Sequence, residues 1–134
     1  MTRWRSAPSA RTQRGAAIVD FVLVVVVLVP LLLGLLQLGL VLHVRNTLTA
    51  AASAGARYAA TVDRGPSDGT AKTQQMITGI LTERFAGQVS AAQTVVGGYP
   101  GIVVRVEADV PPLGLWGPAV HLAVEGHAVE ETLP

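Results

Sequence analysis

The chain is 134 residues long, 50% hydrophobic and 14% charged, which leaves room for one small domain beyond a membrane segment. It has no cysteine, so it holds neither a disulfide framework nor a cysteine-based zinc site. The net charge of +1 hides an asymmetry: Arg3, Arg5, Arg11 and Arg14 precede Gly15 with no acid among them, while the six basic and nine acidic residues that follow leave the rest at −3.

In chain order, residues 1–15 form a basic leader. Its only aromatic residue is Trp4, too few stacking partners for a nucleic-acid site, and no nucleic-acid partner is expected. The 27 residues from Ala16 to Leu42 then contain a single charge, Asp20, and one other strongly polar side chain, Gln37. A helix of that length spans ~40 Å, enough for a bilayer core of ~30 Å. Secretory signal cores run only ~7–15 residues, so an uncleaved span fits better, although Ala50 to Ala56 offers small residues suited to signal cleavage. Arginines ahead of the span place the amino terminus in the cytoplasm and the remainder outside it. Pro30 predicts a kink in mid-span.

Past Leu42 the run passes into an alanine-rich stretch, Asn46 to Ala60, with high helix propensity. Residues 16–62 are therefore expected as one transmembrane and stalk helix, ~70 Å long if unbroken. Thr47, Ala51, Gly55 and Ala59 recur at every fourth position. Such a stripe lets another helix approach closely, either in lateral assembly with other subunits or by packing against the chain's own domain.

Residues 63–134 read as a small extracytoplasmic α+β domain. Asp63 to Gly69 has loop composition, and residues 70–86 carry a helical stripe of Met76, Ile77, Ile80, Leu81 and Phe85, expected to be core. A strand starts over Gln93 to Val96, with turn residues Gly97 to Gly101 after it. Val104, Val106, Ala108 and Val110 alternate with Arg105, Glu107 and Asp109, the pattern of a half-buried strand. Pro111 to Pro118 breaks the pattern, and Val120, Leu122, Val124 and Ala128 alternate with His121, Glu125 and His127 in a last strand. The expected fold class is α+β: a long membrane helix, then one helix on a roughly three-stranded antiparallel sheet.

Chemistry is sparse. There is no cysteine nucleophile, no glycine-rich phosphate loop and no clustered carboxylate pair, so no catalytic residue, metal or cofactor is expected. His121, Glu125 and His127 share a strand face and are the best metal candidates, but alternation puts them where solvated polar residues belong. Trp116 either contacts a partner at the domain tip or caps the sheet core. Asp20 stands apart. It either sits at headgroup level in contact with water or meets a cation in the membrane. Cleavage after Gly15 would supply that cation, a new α-amino group on Ala16, one helical turn from Asp20 or on a neighbouring subunit.

The string Arg14-Gly15-Ala16-Ala17-Ile18-Val19-Asp20-Phe21, the apolar run, Gln37-Leu38-Gly39 and Ala51-Ala52-Ser53-Ala54-Gly55-Ala56-Arg57-Tyr58-Ala59 together resemble the TadE-like family, pseudopilins of tight-adherence (Tad, Flp, type IVc) pilus systems. The similarity covers residues 14 to 62; beyond them it is architectural. The resemblance implies a minor pseudopilin, processed by a prepilin peptidase after Gly15 so that Ala16 becomes the amino terminus. Asp20 and Phe21 take the places of the family's acid and following aromatic in assembly. Two departures stand out: the family usually has glutamate where this chain has Asp20, and often glutamate where it has Gln37. The implied partners are membrane lipid, the peptidase and other Tad pilus components. The implied location is a single pass through the cell membrane, then a pilus. The alternative is an uncleaved anchor presenting a small binding domain.

Overall fold

Helix α1 spans Ala10–Ala59 in the computed structural model, which describes residues 10–114 and 117–132. Arg3, Trp4, Arg5 and Trp116 lie outside the described residues. Pro30 does not interrupt α1. A proline costs one backbone donor, and the helix hydrogen bonds on either side hold the element together. The chain divides into two units, Met1–Leu36 and Gln37–Pro134. In the first unit, nothing between Gln13 and Leu36 is buried, and only Val25 is even half-buried.

In the second unit, the Gln37–Ala59 part of α1 is a component of the domain rather than a free stalk. Val44, Leu48, Ala51, Ala52, Ala56 and Ala59 lie in the core with Ile77, Ile102, Val104, Val106 and Val110. Beyond the helix end at Ala59, Asp63 takes φ 65°, a left-handed conformation, in the turn that leads back to the next helix. Arg64 then folds its guanidinium over the Tyr58 ring, 3.7 Å from the centroid.

Helix α2 spans Pro66–Ile80, four residues earlier than periodicity places it. Pro66 occupies the first helical position, and the Gly65 N–H donates to Asp68 Oδ2 at 2.9 Å. The residues read as a loop are thus a helix start, where proline, glycine and aspartate are equally at home. Gly79 weakens the other end; the Leu81 N–H closes the helix on Ile77 O at 2.7 Å, and Glu83–Phe85 forms a separate 3₁₀ turn. The expected stripe is corrected accordingly. Ile77 is buried and Met76, Leu81 and Phe85 half-buried, but Ile80 is 61% exposed. The buried line of α2 is Gly69, Thr73 and Ile77, at four-residue spacing.

The sheet has the order β1-β2-β3, all antiparallel, with β1 Gln88–Val96, β2 Tyr99–Val110 and β3 Val120–Val129. Val96 pairs with Tyr99, so the first hairpin turns on Gly97 and Gly98 alone, both at positive φ. Gly101, expected in the turn, is a β2 residue. The inward face of β2 is Ile102, Val104, Val106, Ala108 and Val110, as alternation predicts. On β3, Val124 and Gly126 are buried and Leu122 and Ala128 half-buried, while Val120 stays open.

Candidate functional site

Gly15, Ala16, Asp20 and Phe21 lie on the exposed surface of α1. A Cβ at Gly15 would meet nothing within 4 Å, and Phe21 is 69% exposed. In a helix, positions 16 and 20 are neighbours on one face, about 6 Å apart at Cβ. An α-amino group created at Ala16 would therefore lie within reach of the Asp20 carboxylate. Among the described residues Asp20 makes no ion pair. Gln13–Ala59 is long and apolar enough to cross a membrane, and its most apolar window has no buried residue.

The stripe Thr47, Ala51, Gly55 and Ala59 is used within the chain. Ala51, Gly55 and Ala59 are buried, and Thr47 is half-buried with its hydroxyl donated to His43 O at 3.0 Å. At Gly55 a methyl group would collide with Thr73 Oγ1 and stand 2.8 Å from Gly69 O. Gly69 in turn has no room for one, since a Cβ there would lie 2.8 Å from that of Ala59. Thr73 fills the crossing and donates its hydroxyl to Gly69 O at 2.8 Å. Helix-to-helix approach of this kind is what small residues permit, here between α1 and α2. A second close approach joins α1 to the sheet, where a Cβ at Gly126 would run into the backbone of Ala52 and Ser53.

Gln37 is the residue sequence reasoning undervalued. Its Nε2 donates to Pro111 O at 3.2 Å, and its Oε1 accepts the Leu113 N–H at 2.8 Å. Both halves of the amide are engaged by the β2–β3 loop, a pairing a carboxylate cannot make because it has no N–H to give. The available signal was its isolation as an uncharged polar residue in an apolar run. Gly126 also gave a signal, a glycine in an inward strand position, which marks close backbone approach.

The histidine face resolves into two cross-strand pairs, His121 with Asp109 and Glu125 with Arg105, and His127 lies beside Glu125 on the same strand. His121 Nδ1 lies 2.8 Å from Asp109 Oδ1, and His127 Nε2 lies 3.5 Å from Glu125 Oε2. Arg105 donates Nε to Glu125 Oε1 at 2.7 Å. That hydrogen bond, and then the guanidinium charge, hold the Glu125 carboxyl below its ordinary range and push Arg105 up. Among the described residues no three histidine or carboxylate groups converge as a metal site would require.

Residues 15–57 match the TadE-like protein family model. The matched segment begins at Gly15 and takes in Ala16, Asp20 and Phe21, the whole apolar run, Gln37, and the packed α1 residues from Val44 to Ala56, but not Ala59. Comparison with curated proteins and with solved structures finds no match. The TadE-like segment points to a component associated with a Tad pilus and its other parts, and its long apolar helix is compatible with a membrane anchor.

Proposed function

We propose that this chain is a non-enzymatic, single-pass minor pseudopilin of a Tad-type pilus, cut after Gly15 by a prepilin peptidase and assembled through its amino-terminal helix. The observation that carries the reading is the junction itself: the family match begins at the glycine preceding the expected cut. Exposure supports it, since Gly15 to Phe21 are all exposed on α1 and so open to a peptidase or a neighbouring subunit. The helix is anchor before assembly and filament element after it, with the amino terminus cytoplasmic and the domain outside. Once Ala16 is the amino terminus, its ammonium and the Asp20 carboxylate neutralise one another in the membrane, within one chain or between two.

Intact mass of the membrane-extracted protein, with and without the cell's prepilin peptidase, tests the processing. The expected result is a peptidase-dependent start at Ala16, abolished by Gly15→Leu. A start at Met1 or Thr2 in both strains would replace this reading with that of an uncleaved anchor. Asp20→Asn is expected to insert and be cut normally but to lose most of its co-purification with other pilus components. Unchanged co-purification would remove the carboxylate from assembly.

A further inference from the structure

The Gln37–Pro134 unit is polar at one end and apolar at the other. Where α1 finishes and α2 starts, Arg57, Asp63, Arg64, Asp68 and Lys72 cluster, and the Glu131 N–H returns to Ala60 O at 2.9 Å. At the opposite end Gln37 grips the loop between β2 and β3, and the surface around it changes character. Leu38 and Leu42 of α1 are exposed, Leu113 of the loop is 49% exposed, and Val120 at the start of β3 is open. No charged residue occurs on α1 between Asp20 and Arg45. Of the ionisable groups at this end, Asp109 and His121 pair with each other on the outer sheet face, and His43 follows Leu42 on α1.

The position of this end along α1 says what covers it, given the reading of α1 as a membrane span. From Ala16 to Gln37 the helix rises ~32 Å, close to the ~30 Å of a bilayer core. Gln37 therefore falls at the boundary where hydrocarbon gives way to headgroups, and Leu38 and Leu42 continue the lipid-facing surface for one more turn. The loop suits the same place. Pro111, Pro112 and Pro118 have no N–H to desolvate, and the Pro111 carbonyl and Leu113 N–H are already satisfied by Gln37. A free Gln37 amide would be costly at that depth, whereas one bonded at both ends is not.

We propose that the Pro111–Leu113 stretch after β2 is a lipid-contacting surface, pinned by Gln37 so that Leu113 enters the bilayer interface and the domain sits on the membrane instead of standing off on a stalk. The absence of cysteine makes the test clean, because single-cysteine variants of the full chain take a nitroxide at one place only. Labels at Leu113→Cys, Tyr99→Cys and Val26→Cys are compared in nanodiscs of phosphatidylethanolamine and phosphatidylglycerol. The readout is collision with oxygen, which partitions into lipid, against collision with a water-soluble nickel chelate. Leu113→Cys is expected to favour oxygen severalfold, and Tyr99→Cys, at the far end of β2, to favour nickel. A nickel-accessible label at Leu113 alongside a lipid-buried label at Val26 would overturn the proposal and leave the membrane span intact. A Leu113 label shielded from both reagents would overturn it in favour of a protein contact. A water-exposed label at Val26 would remove the span and the proposal together. Adding Gln37→Glu to Leu113→Cys is expected to shift the label toward nickel, and an unchanged ratio would refute the pin.

Discussion

The two parts of α1 are the same secondary structure put to opposite uses. From Ile18 to Leu36 the helix carries large aliphatic side chains, and nearly all are exposed; from Val44 to Ala59 it is rich in alanine, and one face is buried. The most apolar stretch is thus the least buried within the protein. The difference teaches that hydrophobicity alone does not say where a helix packs. Large branched side chains hold neighbouring backbones apart and need only an apolar solvent. Small ones bring backbones into contact, so they pack only where a second surface is shaped to meet them. Gly55 and Gly126 mark the places where α1 meets those surfaces.

The same substitution on the two parts provides the hardest test. Leu48 is fully buried and Leu32 is exposed. Leu48→Ala is expected to cost about 3 kcal/mol, the usual penalty for a buried leucine cavity. Leu32→Ala should leave the domain untouched. Hydrogen exchange at the β2 amides of Val104 and Val106 measures both, and equal protection in the two variants would break the contrast. A smaller effect separates the glycines. Gly55→Ala forces a methyl against Thr73 and the Gly69 carbonyl and is expected to cost about 2 kcal/mol, as overpacking does. At Gly34 a methyl would meet nothing within 4 Å, so Gly34→Ala should be neutral or slightly stabilising through helix propensity. Denaturant midpoints of the two variants check this, and an unchanged midpoint for Gly55→Ala would show that the α1–α2 crossing is looser than it stands.

The smallest effect lies on the outer sheet face. Glu125 has its pKa depressed in the folded state, first by the hydrogen bond from Arg105 and then by its charge. A depressed carboxylate contributes stability that is present above its ordinary range and is lost as the pH falls through the lowered folded value. Arg105 is raised further from any accessible pH and does not titrate. Both side chains reach solvent, so the acid-limb loss is expected to be slight. Thermal melts from pH 6 downward, with Glu125→Gln lacking that portion of the slope, provide the measurement. Identical slopes would assign the pair no role in stability.

Sequence alone determined the membrane-length helix, the β2 core face and the α+β class. Each rests on a local signal: a charge-poor run, a period-two alternation, and a helical stripe between turn residues. It also singled out the Gly15–Phe21 junction, whose residues are exposed on α1 and whose signal is local. The Pro66 start of α2 was present in the letters as well, but proline, glycine and aspartate serve loops and helix starts alike. What only the tertiary structure decided is where α1 stops being a span and becomes core, that its small-residue stripe meets α2, that Gly126 admits its backbone, and that Gln37 holds the β2–β3 loop. These partners lie 10 to 76 residues apart in sequence. Periodicity shows which side of an element is apolar or small, and the surface it meets is chosen only when distant segments come within van der Waals distance.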